Sequence, residues 1–243
     1  MIVADVRRAL RRDDAQLVLR LIARGNAGEY ERAEGLLRDE GLDVLLDDPR
    51  LLTGLLESRQ GACASYPLFA YVLVRHAMQS VGESDRVLAD YVASILLHFG
   101  LQQRANRVGE SDDEYYDTVA GLLGAVDGPD AQRAFLVRAH LGNYALWLSG
   151  MFPEFIAGRH HRRGAPDLDY FEEVGRRGYQ LAADHRLATE HGLATLYSAA
   201  AERFPLLRVA LNRVSDRTLF ANRYSPERLM RQVRDEARWK LLS

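Results

Sequence analysis

Residues 129–163 read PDAQRAFLVRAHLGNYALWLSGMFPEFIAGRHHRR, and the middle of this stretch decides the fold. After the turn Asp127-Gly128-Pro129, apolar side chains run through Phe135, Leu136, Leu146, Trp147 and Leu148, and from Ala139 to Pro153 there is no Asp, Glu, Lys or Arg. In the second half of the helix these side chains point all round it. A helix that is apolar on every face is buried on every face. The stretch therefore predicts a central helix over about 129–149 with the other helices packed around it. Its charge-free run and the other long one, Gln60–Val74, both fall short of the roughly 20 residues a membrane-spanning helix needs, so no bilayer span is expected.

Composition extends that reading to the whole chain. Leu (37), Ala (31) and Arg (31) dominate the 243 residues and are strong helix formers, whereas Ile (4) and Thr (5), which favour strands, are scarce. The expected class is all-α: a multi-helix bundle, or array of antiparallel helical hairpins, around the buried central helix. A formal net charge of −2 argues against holding nucleic acid by bulk electrostatics. With Cys63 alone, neither an internal disulfide nor a cysteine metal cluster can form within one chain. Charges at Asp5, Arg7 and Arg8 interrupt the apolar region a signal peptide requires, and the expected location is cytoplasmic. Lys240 is the only lysine among 32 basic residues. That bias points to a GC-rich bacterial genome and leaves no lysine for a phosphate loop and little prospect of a Schiff base.

Prolines and polar caps punctuate the chain. Periodicity predicts helices over about 3–24 (Val6, Leu10, Leu17, Leu21) and 28–40 (Tyr30, Ala33, Leu37), with Gly25 and Gly41 as stops. A short helix follows Asp48-Pro49, another runs from Pro67 to Gly82, and a third, capped by Ser84 or Asp85, carries Val87, Tyr91, Ile95 and His98. Residues 104–109 read as loop, and Ser111-Asp112-Asp113-Glu114 has capping-box spacing. Beyond the central helix, 158–166 reads as an exposed basic loop. Helices are then expected from Pro166, over 187–203 and 205–215, and from Pro226 to about 241. Gly175 and Gly178, three apart inside a helix, imply close approach of a neighbouring backbone. Residues 1–60 are expected to form N-terminal hairpins packed on a main domain of 61–243, or one continuous domain with it.

Gly28-Glu29-Tyr30-Glu31-Arg32-Ala33, opening the second helix, resembles half of a tetratricopeptide hairpin, with no 34-residue repeat after it. The segment Leu141 to Glu154, with Tyr170 and Gly175 to Tyr179, is similar to segments of uncharacterised bacterial helical proteins. That resemblance implies no activity.

Motifs of enzymatic chemistry are missing. There is no Gly-x-Gly pair, no Gly-x-Ser-x-Gly elbow and no His-Glu-x-x-His, and no histidine follows an Asp or Glu by three or four positions, so the Glu-x-x-His element of di-iron bundles is absent. No cofactor is expected. His140, Glu154, His160 and His161 could converge on a metal or ligand if the chain reverses at Phe152-Pro153; the simpler reading is a core histidine bonded to a carbonyl and a solvated pair. Asp184, His185, Glu190 and His191 read as capping groups at a helix junction. On the last helix, Leu229, Met230, Val233, Ala237 and Leu241 fall on one arc, expected to be buried, and Arg228, Arg231, Arg234 and Arg238 on another, expected to be solvated. The functional expectation is a non-enzymatic interaction or scaffold protein whose arginine stripe meets another protein, an acidic one by charge, or a second copy. The alternative is a helical enzyme or ligand-binding bundle with a pocket beside the central helix.

Overall fold

Polar caps and prolines set where the helices start. The computed structural model describes residues 1–101, 105, 107–108, 116, 118–222 and 224–240, which form fourteen α-helices and no strand. The all-α expectation holds. Two compact units divide the chain near residue 102. The expected boundary at 60 falls inside the first unit, because the helix after Asp48-Pro49 packs both on the first helix and on the one that follows Ser65.

The first unit contains α1 (Arg12–Ala23), α2 (Ala27–Asp39), α3 (Leu42–Leu46), α4 (Pro49–Glu57), α5 (Tyr66–Ser80) and α6 (Arg86–Leu101). Asn26, Asp48, Ser65 and Asp85 each accept a backbone N–H from the first turn that follows, a cap worth about 1 kcal/mol. α1 buries Leu17, Val18, Leu21 and Ile22, and α5 pairs with α6. The expected helix over 3–24 is shorter: Arg7–Ala9 is a single 3-10 turn, and Leu10 and Arg11 are extended. Asp47 joins three elements. Its carboxylate takes Arg75 at 2.6 and 3.1 Å and Arg86 at 2.7 and 3.1 Å, and these partners together outweigh the burial that opposes its ionisation, lowering its pKa.

Beside that cluster, half-buried His76 donates Nε2–H to the Leu46 carbonyl at 3.0 Å. Desolvation pushes its pKa below the usual histidine value, with Arg75 reinforcing and Asp47 and Asp48 opposing the shift. The folded unit thus binds its proton less readily than the unfolded chain. The stability this contributes is present above about pH 6.5 and lost as pH falls through the lower folded value, at up to about 1.4 kcal/mol per pH unit. Hydrogen exchange of the α5 amides between pH 7.5 and 5 should therefore quicken more steeply in the native chain than in His76→Gln once intrinsic exchange is corrected for; equal slopes would show that His76 carries no such linkage.

The second unit holds α7 (Val119–Ala125), α8 (Ala131–Met151), α9 (Pro153–Arg163), α10 (Leu168–Ala183), α11 (Arg186–Glu190), α12 (Ala194–Glu202), α13 (Phe204–Val214) and α14 (Pro226–Lys240). α8 is the central helix, and every residue from Ala139 to Leu146 is buried. α10 packs along it so closely that a Cβ on Gly178 would lie 2.8 Å from the Gly142 nitrogen, which is the approach the glycine spacing implied. The expected capping box at Ser111–Glu114 and half of 104–109 lie outside the described residues. No helix among the described residues is long and apolar enough to cross a membrane.

The C-terminal end of α8 is satisfied group by group. The last four carbonyls of a helix lack intrahelical partners. Here Leu148 O accepts the Phe152 amide at 3.0 Å, Asn212 Nδ2 donates to Ser149 O at 2.8 Å and Gly150 O at 2.7 Å, and Ser215 Oγ donates to Met151 O at 2.7 Å. Asn212 is on α13 and Ser215 begins the π-helical turn Ser215–Leu219 that continues it.

Candidate functional site

The basic cluster Arg159-His160-His161-Arg162-Arg163 is helical, not the loop expected from its composition. Pro153 occupies the first turn of α9 and Gly164, at φ 61°, closes it in the left-handed region. Basic side chains in a last turn also complement the partial negative charge of the helix end. The helix buries only Pro153 and Ile156, so most of its residues face outward and show no apolar period.

α14 corrects the reading of its two arcs. Among its described residues, the buried ones are Arg228, Arg231 and Asp235, at 9%, 6% and 8% exposure, while Leu229, Met230 and Val233 stand 61%, 67% and 55% exposed. The amphipathic pattern is right and its orientation is reversed. The cause lies in the partners. Arg228 donates to the carbonyls of Asp216 and Phe220 at 2.8 and 2.6 Å. Arg231 Nη2 reaches both Asp216 carboxylate oxygens at 2.8 and 3.0 Å and Glu154 at 3.2 Å. Asp235 accepts two bonds from Arg208, at 2.6 and 3.1 Å. Arg234 is exposed as expected; the side chain of Arg238, like Leu241, lies outside the described residues.

Arg208, 2% exposed, is the hub beneath α14. Besides Asp235 it binds Glu172 of α10 through Nε and Asn212 Oδ1 at 2.7 Å. Burial disfavours the guanidinium charge, and the Asp235 and Glu172 carboxylates more than offset it, so its pKa is raised. Sequence reading did not single out this group, because Arg208, Glu172 and Asp235 come from three helices with no motif spacing between them.

Between α9 and α14 lies an open groove of 490 Å³. It brings Glu154, His160 and His161 together with Arg228, Arg231 and Arg234, merging two sets that the sequence left separate. His140 does not join them: it is buried on α8, where Nε2–H donates to Ala105 O at 2.9 Å and the ring lies against Tyr144. In the groove, His160 Nδ1–H donates to Ala165 O at 2.7 Å, and the His160 and His161 rings are 6.0 Å apart at 66°. Glu154 is engaged by Arg231. Among the described residues no group of three or more His, Cys, Asp and Glu side chains is arranged to hold a metal ion. At the second histidine cluster, His185 Nδ1 accepts the Leu187 amide at 3.2 Å and its ring stacks on Phe135 at 5.3 Å, a capping role as expected.

Of the exposed apolar side chains of α14, Met230 lines the groove, and the wall sets Arg228, Arg231, Arg234, His160 and His161 against Glu154, Asp167 and Glu227. α9 and α14 together carry eight Arg and Lys against four Asp and Glu, whereas the whole chain has 32 against 34. Comparison of the chain with protein-family models, curated proteins and solved structures finds no match.

Proposed function

We propose that the protein is a non-enzymatic helical interaction protein, and that it binds an amphipathic helix of another protein, acidic on its flanks, along the outer face of α14. The observation that carries this reading is the reversed orientation of α14. Three large apolar side chains, the adjacent Leu229 and Met230 and Val233 one turn on, face solvent while two arginines of the same helix are buried. Fully burying one such side chain is worth roughly 1.5–3 kcal/mol, so a partner that covers the ridge gains from surface the fold itself leaves open. Helix-in-groove docking reads anchors at this i, i+3, i+4 type of spacing. The acidity of the partner follows from Arg234, exposed on the groove wall, and from Arg162 and Arg163, exposed on α9 beside the groove-lining His160 and His161. Flanking charges of this kind set partner choice and on-rate more than affinity.

A photo-crosslinking side chain at Met230, compared with one at Arg32 on α2, tests this in lysate. The expected result is a discrete heterologous adduct from position 230 alone, lost when Leu229 and Val233 are both changed to Glu and weakened by Arg234→Glu at low salt. Identical adducts from the two positions would overturn the reading. An adduct of twice the chain's own mass, with a dimer in sedimentation, would replace the acidic partner by a second copy.

A further inference from the structure

A second, smaller concavity lies on the other side of α9, beside α8. Tyr144 and Leu148 of α8, Phe155 and Ile156 of α9 and Tyr170 of α10 line a concavity of 280 Å³, with Thr118, Val119 and Ala120 at the start of α7 also in its wall. Its walls are apolar and aromatic, and one guanidinium, Arg159, stands among them. That guanidinium lies 5.5 Å from the centre of the Phe155 ring. It forms no ion pair with a carboxylate among the described residues, although Arg228 and Arg231 on the neighbouring groove, and Arg208 beneath it, all do. Small-molecule sites are apolar concavities with a few placed polar groups, of roughly 300–1,000 Å³. This one matches that chemistry and falls just below that size range.

We infer that this pocket binds a small aromatic monocarboxylate, with the ring between Tyr144, Leu148 and Tyr170 and the carboxylate on Arg159. Each part of the assignment has its own ground. The volume admits a one- or two-ring body. Aromatic edges and faces favour an arene over an alkyl chain, because ring pairs gain from offset and edge-to-face geometry beyond the area they bury. The planar fork of an arginine matches the two oxygens of a carboxylate. One cation without an acidic neighbour in the wall calls for one negative charge on the ligand. The site is independent of the partner surface on α14 and uses none of its residues.

Titration calorimetry on the full chain with 1-naphthoate, 1-naphthalenemethanol and decanoate tests the assignment. The expected result is saturable one-to-one binding of naphthoate, at least tenfold weaker binding of the alcohol, and decanoate weaker than naphthoate. Arg159→Gln should weaken naphthoate at least tenfold and leave the alcohol within twofold, and this exposed change should leave the melting curve unaltered. Leu148→Trp, which fills the pocket, should abolish both. No saturable binding of naphthoate at millimolar concentration overturns the proposal, as does binding indifferent to Arg159→Gln. Decanoate binding tighter than naphthoate overturns the aromatic assignment.

Discussion

Arg208→Met should cost the second unit about 3–5 kcal/mol, the penalty for removing one member of a buried charge network. The reason is what remains. Glu172 and Asp235 are 5% and 8% exposed, and without the guanidinium two carboxylates face each other out of water, while Asn212 Oδ1 loses the bond from Arg208 Nη1. Methionine fills much of the volume, so the loss measures charge and hydrogen bonding more than cavity. If that account is right, Glu172→Leu and Asp235→Leu added to the same chain should recover most of the stability, because replacing a whole buried network by apolar groups is often neutral. Both tryptophans, Trp147 and Trp239, belong to the second unit, so their fluorescence during urea unfolding isolates it from the first. A single-variant loss under about 1 kcal/mol, or no recovery in the triple variant, would falsify the network's role.

Arg231→Glu should be the most damaging single change on α14. It places a third carboxylate against Asp216 and Glu154, which the native arginine bridges at 2.8 and 3.2 Å, and converts a nearly buried attraction into repulsion, at about 3–5 kcal/mol. Leu229→Ala and Val233→Ala should each stay within about 0.5 kcal/mol, as exposed positions do. This ranking inverts what the apolar arc alone implies. Hydrogen exchange along 226–240 in the three variants reads it directly. Rapid exchange in Leu229→Ala with protection kept in Arg231→Glu would mean that the helix sits on its apolar side after all.

These variants mark where sequence reasoning stopped. The central helix was legible because burial on all sides removes charge from all sides: Ala139 to Pro153 shows it without any partner being known. Starts of helices were legible because caps are local, as Asp48 and Asp85 illustrate, and the glycine pair was legible by half: Gly178 meets the backbone of α8, whereas Gly175 makes room for the Phe204 ring. His140 was legible as a core histidine bonded to a carbonyl. The orientation of α14 was not. Periodicity separates two faces of a helix, but the choice of which one turns inward belongs to Asp216, Glu154 and Arg208, each at least 12 residues from its partner on α14. α9 escaped for the opposite reason, since a helix with two buried residues prints almost no pattern. The pocket beside α8 draws its walls from three helices and a turn, and no spacing announces it.

The polar seating of α14 has a thermal consequence. Most of a protein's unfolding heat capacity comes from wetting apolar surface, whereas wetting polar surface lowers it, by about 0.26 cal/K/mol per Å². Lifting α14 from its seat wets Arg228, Arg231 and Asp235 and adds little to the exposure of Leu229, Met230 and Val233. The equilibrium between seated and lifted helix therefore has a nearly flat temperature profile, without the pronounced dome of the core around α8, and the hydration penalty of its buried charges shrinks on warming. Chilling weakens the grip of apolar cores; it has little purchase on a helix held by arginines.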